Sequence, residues 1–247
     1  MLYPTVIGVT RPAFLVLTPV CVGLGVASTL RGPVSPDWIS AAIALIGAVA
    51  AHVSVNALNE YEDFESGLDF LTRRTPFSGG SGTLVARPDL AAQARSLGIA
   101  AFLLTATCGL VLLWRAGAGL LPIGLIGLAL VYAYTGRINR RPFLCLIAPG
   151  LGFGPLMVVG TAYASTAAWS ADAFVASLAP FFLVSNLLLL NQFPDMDADR
   201  SVGRNTLPLA IGTSASLHVY GTFALLAYLS IIMGAAVGSL PVASLAG

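Results

Sequence analysis

The sequence has little charge and few of the residues that build zinc sites or disulfides. Charged residues make up 9% of the 247 residues, against about 25% in a soluble domain, and hydrophobic residues make up 57%. There is no lysine, so all 12 basic residues are arginine. The two histidines and three cysteines have no metal or disulfide spacing. This composition excludes a soluble globular domain. The net charge of +1 gives no information on nucleic acid, and for a membrane protein we expect no nucleic-acid partner.

Long apolar runs make up most of the chain instead. A membrane-spanning helix needs about 20 mainly apolar residues, and seven runs come close to that length. We place seven predicted helices at residues 12–30, 38–58, 91–113, 118–136, 143–164, 173–193 and 214–238. The first run lacks a basic segment before it, which favours a membrane helix over a cleavable signal peptide. The sequence therefore predicts an all-α, multi-pass membrane protein with a single domain over residues 1–247.

The arginines are distributed unevenly between the connections of these helices. Arg31 and Arg115 fall on one side of the predicted bundle, and the other ten arginines fall on the opposite side. Cytoplasmic connections carry an excess of basic residues, so the side with ten arginines is the predicted cytoplasmic face. We expect an integral protein of a prokaryotic cell membrane whose N-terminus lies in the cytoplasm.

Eight of the 11 acidic residues lie in two windows, each directly after a hydrophobic run. The windows are NALNEYEDFESGLD at 56–69 and NQFPDMDADRSVGRNTLP at 191–208, both on the predicted cytoplasmic side. Carboxylates at the ends of membrane helices are costly, which indicates a function. If the helices continue, Asn59 and Asp63 share one face. Asp195 and Asp199 also share a face, and Asp197 points elsewhere.

Two opposed carboxylate faces predict a site for a hard metal ion. Mg²⁺ prefers oxygen ligands and usually binds through a few carboxylates together with substrate phosphates. Arginines on the same side of the membrane can accept the remaining charge of a diphosphate in a bidentate manner. The glycine-rich stretch GGSG at 79–82 is either a flexible connector or a backbone that approaches an anion closely, and the residues alone leave both readings open.

The two windows resemble the aspartate-rich motifs of the UbiA superfamily of intramembrane prenyltransferases. NEYEDFESGLD at 59–69 resembles the first motif, and the second window resembles the second. PFSGGSGTL at 76–84 and YAYTGRINRRPF at 132–143 resemble further segments of the family. The family usually has nine membrane spans and seven are predicted here, so we expect this chain to lack the last two family helices.

The first motif departs from the commoner family pattern, N-x-x-x-D-x-x-x-D. Gly67 stands at the third position, and the later Asp69 resembles the spacing of the MenA-like branch, the dihydroxynaphthoate polyprenyltransferases. On a continuous helix Asp69 would lie on the wrong side, about 240° around from Asp63. We therefore expect the helix to end near Ser66 or Gly67 in a left-handed turn that brings Asp69 back toward the metal.

The resemblance implies a helical bundle around a central, lipid-open cavity, with both motifs at its cytoplasmic mouth. It implies Mg²⁺-dependent transfer of a polyprenyl group from polyprenyl diphosphate to a small aromatic acceptor, a quinone precursor. The implied catalytic and metal-binding residues are Asp63, Asp69, Asp195 and Asp199. The implied substrate-binding residues are Asn59, Arg73, Arg74, Tyr134, Arg137 and Arg204.

Three other functions are compatible with part of these features. Phosphotransferases that act on CDP-activated lipid head groups also carry paired aspartates, but their D-G-x-x-A-R pattern does not occur in this sequence. A transporter would place its polar residues at mid-membrane depth rather than at helix ends on one face. A catalytically silent homologue that binds prenyl lipids stays open, because the chain is short for the family.

Overall fold

The computed structural model describes residues 5–75, 78–134 and 136–246, and no strand occurs in these three ranges. Six helices are long and apolar enough to cross a membrane, and a seventh is shorter. In chain order they are α1 (Pro12–Thr29), α2 (Trp38–Glu65), α3 (Pro88–Ala116), α4 (Ala118–Ala133), α5 (Pro142–Thr166), α6 (Ala171–Ser201) and α7 (Thr213–Ala236). The protein is therefore an all-α integral membrane protein, as predicted. Pro76, Phe77 and Thr135, which belong to the two further segments of family resemblance, lie outside the described residues.

All seven predicted segments are helical, but two of the helices continue beyond the predicted apolar run and one is shorter. α2 continues beyond residue 58 to Glu65, in line with the expected helix end near Ser66 or Gly67, and α6 continues to Ser201 rather than residue 193. An apolar run marks the part of a helix that lies in lipid, whereas polar residues with good helix propensity extend the helix beyond it. Pro194 stays inside α6, so it neither ends that helix nor opens a new one. α4 ends at Ala133 and is shorter than predicted.

Two of the helices depart from regular α geometry along their length. α1 is interrupted at Val16, and α5 contains a π-helical stretch at Gly152–Val159. Pro149 and Pro155 lie inside α5. Because proline has no backbone N–H and its ring crowds the preceding turn, a wider turn relieves the clash without breaking the helix.

Glycines bring the helices into close contact. A Cβ atom on Gly154 of α5 would lie 2.6 Å from the carbonyl oxygen of Ser177 on α6, and one on Gly98 of α3 would lie 2.7 Å from Leu58 on α2. In lipid, apolar side chains gain nothing by leaving the surrounding solvent, so helices associate through close backbone approach at small residues. The three cysteines are buried and free, in agreement with the absence of a disulfide pattern.

A salt bridge and a backbone hydrogen bond join three helices at the end of the bundle away from the acidic windows. Arg115 at the end of α3 contacts Asp37, which caps the N-terminus of α2, at 2.6 Å, and its Nε donates to Ser40. The backbone N–H of Asp37 donates to the Ser165 carbonyl of α5 at 2.7 Å. The hydrogen bond from Arg115 lowers the pKa of Asp37 to about 2. Arg115 therefore lies at the opposite end of α2 from Asp63, as the arginine distribution predicts.

We expect Gly25→Ala to destabilise the protein and Gly23→Ala to leave its stability unchanged. A Cβ on Gly25 would lie 2.6 Å from the Val158 carbonyl oxygen of α5, whereas one on Gly23 meets no atom within 4 Å. Overpacking of this kind costs about 1–3 kcal/mol. Thermal unfolding in detergent measures both variants, and an equal shift in the two would contradict the assigned α1–α5 contact.

Candidate active site

A cavity of about 420 Å³ runs between the helices from the end of the bundle where α2 and α6 finish. Leu120 and Ile123 line its far end, where α3 ends and α4 begins. Its mouth is lined by the polar residues Arg11, Asn59, Asp63, Asp69, Tyr134, Asn139, Gln192, Asp195, Asp199, Arg204 and Thr206. The cavity therefore joins a charged mouth to a long apolar interior.

The first acidic window lies on α2 and on the turn that follows it. Asn59 and Asp63 share a face of α2, and the Asn59 amide donates to Asp63 at 2.8 Å. α2 ends at Glu65, and Gly67 has a φ of 80°, the left-handed conformation that favours glycine. A short helix, Leu68–Leu71, then carries Asp69. The predicted end of the helix at this glycine is confirmed.

Asp69 is buried at the cavity mouth, and the arginines near it do not offset the cost of burying its charge. Its Oδ2 atom is buried and has no hydrogen-bond partner among the described residues. Burial raises its pKa to about 7, and the nearby carboxylates of Glu60 and Asp63 add to the increase. An orphaned carboxylate oxygen of this kind is a position that a bound cation would satisfy.

The aspartates of the second acidic window lie on the last two turns of α6. Asp195 and Asp199 lie on the face that lines the cavity. Asp197 is fully exposed and lies 3.9 Å from Arg200. The Oδ1 atom of Asp195 is buried and unpartnered within the described part of the chain. The predicted separation of Asp197 from its two neighbours is confirmed.

Arg204 connects the two acidic windows directly. Its guanidinium forms an ion pair with Asp63 and contacts Asp199 at 3.4 Å, although Asp63 and Arg204 are 141 residues apart in the chain. Gly203, with a φ of 74°, turns the chain after α6 so that Arg204 points back into the mouth. Although burial acts to lower the pKa of Arg204, the two carboxylates raise it above its usual value. The arginine is thus the counter-ion that both windows share.

The structure brings some of the other predicted residues to the mouth and leaves others outside it. Tyr134 lines the cavity. The Arg74 guanidinium lies against Gly82, where a Cβ atom would collide with it. Arg73 is exposed, and Arg137 is exposed over the ring of Tyr132, 5.9 Å from its centroid. Neither Arg73 nor Arg137 lines the cavity. The role in substrate binding that the resemblance implies for these two residues therefore stays a prediction.

Sequence reasoning did not identify several polar residues at the mouth. Arg11 lines the cavity and forms a salt bridge with Glu60 at 2.7 Å, and Gln192 accepts from the backbone N–H of Leu207. Asn139 and Thr206 each have a buried side-chain oxygen without a partner in the ranges described. Asn139 and Thr206 lie inside segments that resemble the family, and that position in the sequence is the feature from which they could have been identified.

The oxygen atoms at the mouth fit a hard metal ion. Asp69 and Asp195 each present an unpartnered carboxylate oxygen at the mouth, one from each acidic window. No group of three or more His, Cys, Asp or Glu side chains converges on one point among the described residues. Mg²⁺ commonly binds through one or two carboxylates and completes its shell with water and substrate phosphate. The donor set therefore suits Mg²⁺ bound with a substrate and does not suit zinc.

Membrane helices that surround one apolar cavity, with two aspartate motifs at its mouth, define an intramembrane enzyme class. Residues 16–247 match the sequence profile of the UbiA prenyltransferase family, so the chain belongs to that family and is a prenyltransferase. The predicted membership of this family is confirmed.

The relatives of this chain are named as prenyltransferases or as proteins with a prenyltransferase domain. It is 28% identical to the 1,4-dihydroxy-2-naphthoate octaprenyltransferase of Mycobacterium tuberculosis over 206 residues, which cover 83% of this chain and 68% of that protein. It is 30% identical to human UbiA prenyltransferase domain-containing protein 1 over 223 residues, which cover 86% of this chain and 62% of the human protein. The chain therefore spans about two thirds of the length of these relatives.

A solved structure shares the fold. A UbiA homolog from Archaeoglobus fulgidus bound to GPP and Mg²⁺ aligns with a TM-score of 0.70, at 15% sequence identity, over 97% of this chain and 81% of that one. At this identity the likeness concerns the fold alone.

We expect Arg204→Gln to destabilise the protein and Mg²⁺ to restore part of the loss. Removing one partner of a buried ion pair costs about 3–5 kcal/mol, because the remaining carboxylates are left uncompensated. A divalent ion can replace the lost positive charge. Thermal unfolding in detergent with and without Mg²⁺ measures the effect.

Arg200→Gln is the matched control for that experiment, since Arg200 is exposed and only 3.9 Å from an equally exposed Asp197. Its stability should stay within about 0.5 kcal/mol of the wild type. If Mg²⁺ stabilises Arg204→Gln no more than it stabilises the wild type, the shared counter-ion role is wrong.

Proposed function

We propose that this protein transfers a polyprenyl group from polyprenyl diphosphate to a small aromatic acceptor in a Mg²⁺-dependent reaction. The observation that carries the proposal is the presence of unpartnered carboxylate oxygens on Asp69 and Asp195, one from each acidic window, at the mouth of one apolar cavity. The mouth suits a metal-bound diphosphate, and the apolar interior suits an isoprenoid chain. The binding of GPP and Mg²⁺ by the archaeal homolog is consistent with this assignment.

Four carboxylates would hold Mg²⁺ in this reaction: Asp63 and Asp69 from the first motif, and Asp195 and Asp199 from the second. When bound, the metal neutralises charge that develops on the diphosphate as it leaves. Asn59 holds Asp63 in place through its 2.8 Å hydrogen bond. Arg204, whose guanidinium already lies between the two motifs, is placed to donate to the diphosphate oxygens.

The cavity walls would protect the allylic cation that forms when the diphosphate leaves. Water would quench such a cation, so the reaction needs a dry site. Leu128, Leu130 and Val131 of α4 line the cavity close to Tyr134. The ring face of Tyr134 can stabilise a neighbouring cation. Tyr132, the other tyrosine of this segment, is exposed and stacks with Arg137, which makes Tyr134 the better candidate.

The acceptor class rests on the relatives rather than on the cavity. Two curated relatives, from Mycobacterium tuberculosis and Bacillus subtilis, are named 1,4-dihydroxy-2-naphthoate octaprenyltransferase. The spacing from Asp63 to Asp69 resembles that branch of the family. A dihydroxylated aromatic ring, a quinone precursor, is therefore the acceptor that we propose, and 1,4-dihydroxy-2-naphthoate is the compound to assay first.

Asp199→Asn should reduce prenyl transfer by at least a hundredfold, and Asp197→Asn should leave it within about twofold, because only Asp199 faces the cavity. Asp197→Asn is the matched control, two residues away on the same helix. Chelation with EDTA should abolish transfer by the wild type, and added Mg²⁺ should restore it. The assay uses purified protein with geranyl diphosphate and 1,4-dihydroxy-2-naphthoate, followed by product mass spectrometry.

Three outcomes of that assay bear on the proposal. Transfer that survives chelation would exclude the metal role. Equal losses at Asp197 and Asp199 would mean that the exposed face of α6 contributes to the reaction. Binding of geranyl diphosphate without transfer to any phenolic acceptor would favour a silent, lipid-binding homologue.

We further propose that the cavity mouth faces the cytoplasm, as the ten-to-two arginine distribution predicts. A membrane-impermeant thiol reagent added outside intact cells should label a cysteine introduced at Ser35, in the α1–α2 connection. It should not label one introduced at Ser66, beside the mouth. The three native cysteines are buried and should contribute little background. The reverse labelling pattern would reverse the orientation of the active face.

A further inference from the structure

Glu60 lies in the first acidic window but is separated from the other carboxylates of the mouth by its partners. Its side chain is fully buried, and both of its oxygens are occupied. Oε1 accepts from Arg11 Nε at 2.8 Å and from the backbone N–H of Ser81 at 2.7 Å. Oε2 accepts from the Ser81 hydroxyl at 2.7 Å. A carboxylate with this many donors has little capacity left for a metal ion.

These contacts fix two separate segments to α2. Arg11 ends the short 3₁₀ helix Val6–Thr10 and has a positive φ of 51°, which is uncommon outside glycine. One turn before Glu60, Asn56 donates to the Thr10 carbonyl at 2.8 Å. Ser81 belongs to the glycine-rich loop Ser78–Gly82. The N-terminal segment and this loop are therefore held side by side on one face of α2.

The loop held in this way lies against the first acidic window and lines the cavity mouth beside the second. Gly79, Gly80 and Asp195 all line this mouth. A Cβ atom on Gly80 would lie 3.0 Å from Asp69 Oδ1 and 3.2 Å from Glu60 Oε1. Gly79 and Gly80 have φ values of 81° and 72°, a conformation that glycine adopts without steric cost. The loop thus lines the mouth that holds the two proposed metal-binding carboxylates.

We propose that Glu60 is a positioning residue, and that with Arg11 and Ser81 it fixes the glycine-rich loop over the diphosphate site. The proposal rests on the proposed function above. Backbone N–H groups of a glycine-rich turn form an anion-binding concavity when the turn is held in place. Glu60 holds the glycine-rich loop in place through its hydrogen bonds to Ser81. The loop is therefore ordered before the substrate arrives, and less binding energy is spent on ordering it.

Two readouts test this role, one of which needs no catalysis. In Glu60→Gln, trypsin should cleave after Arg73 and Arg74 about tenfold faster than in the wild type, because the released loop exposes its backbone. The KM for geranyl diphosphate should rise by about tenfold, with kcat changed by less than about threefold. Ser81→Ala should reproduce both effects more weakly, since it keeps its backbone N–H contact with Glu60.

Two further variants complete the design. The double variant Glu60→Gln/Ser81→Ala should change KM by less than the product of the single changes, because both act through one contact. Glu65→Gln, which alters an exposed glutamate on the same helix, should change neither readout.

Each result has a distinct meaning. Unchanged trypsin cleavage and unchanged KM in both Glu60→Gln and Ser81→Ala would overturn the proposal. A loss of kcat with a raised Mg²⁺ requirement and unchanged cleavage would also overturn it, by making Glu60 a metal ligand. If Glu60→Gln does not fold, Ser81→Ala still decides between these outcomes. A wild type without prenyl transfer would refute the proposed function, while the trypsin comparison would still test the role of Glu60 in holding the loop.

Discussion

The balance of charge at the mouth of a membrane cavity is the constraint on which the rest of this structure depends. Carboxylates next to lipid are costly unless a positive charge lies close to them. Arg204 provides that charge for Asp63 and Asp199, and Arg11 provides it for Glu60. Asp69 and Asp195 receive less, and each keeps an unpartnered oxygen. The carboxylates therefore divide into those that are paired with an arginine in the folded protein and those that keep an oxygen without a partner.

The positions of the helices and the two faces of the acidic windows were predictable from local sequence. Apolar runs near 20 residues locate membrane helices, and the spacing of four residues between Asp195 and Asp199 places both on one face. Gly67 predicted the end of α2, because only a residue that tolerates positive φ turns the chain there. These features depend on contacts within a few residues, which is the range over which sequence patterns are informative.

The partners of the charged residues were not predictable in the same way. Arg11 and Glu60 are 49 residues apart, and Arg204 and Asp63 are 141 apart. Twelve arginines and eleven acidic residues allow many pairings, and helix periodicity does not choose between them. Arg73 and Arg137 show the limit clearly, since they lie near the motifs in sequence but do not line the cavity. Tertiary packing decides which guanidinium reaches which carboxylate.

The same low dielectric that makes these charges costly explains why the mouth suits a metal-bound diphosphate. Electrostatic attraction grows as water is excluded, so a cation bound by Asp69 or Asp195 would be held more strongly than at an open surface. The unpartnered oxygens of these two carboxylates are already buried, and part of the desolvation cost is therefore met before a cation arrives. Arg204 limits this cost in the folded protein by neutralising the other two aspartates. In the function that we propose, a diphosphate would offer that guanidinium a second anion, and Asp63 and Asp199 would then be free to join Asp69 and Asp195 in holding the metal ion.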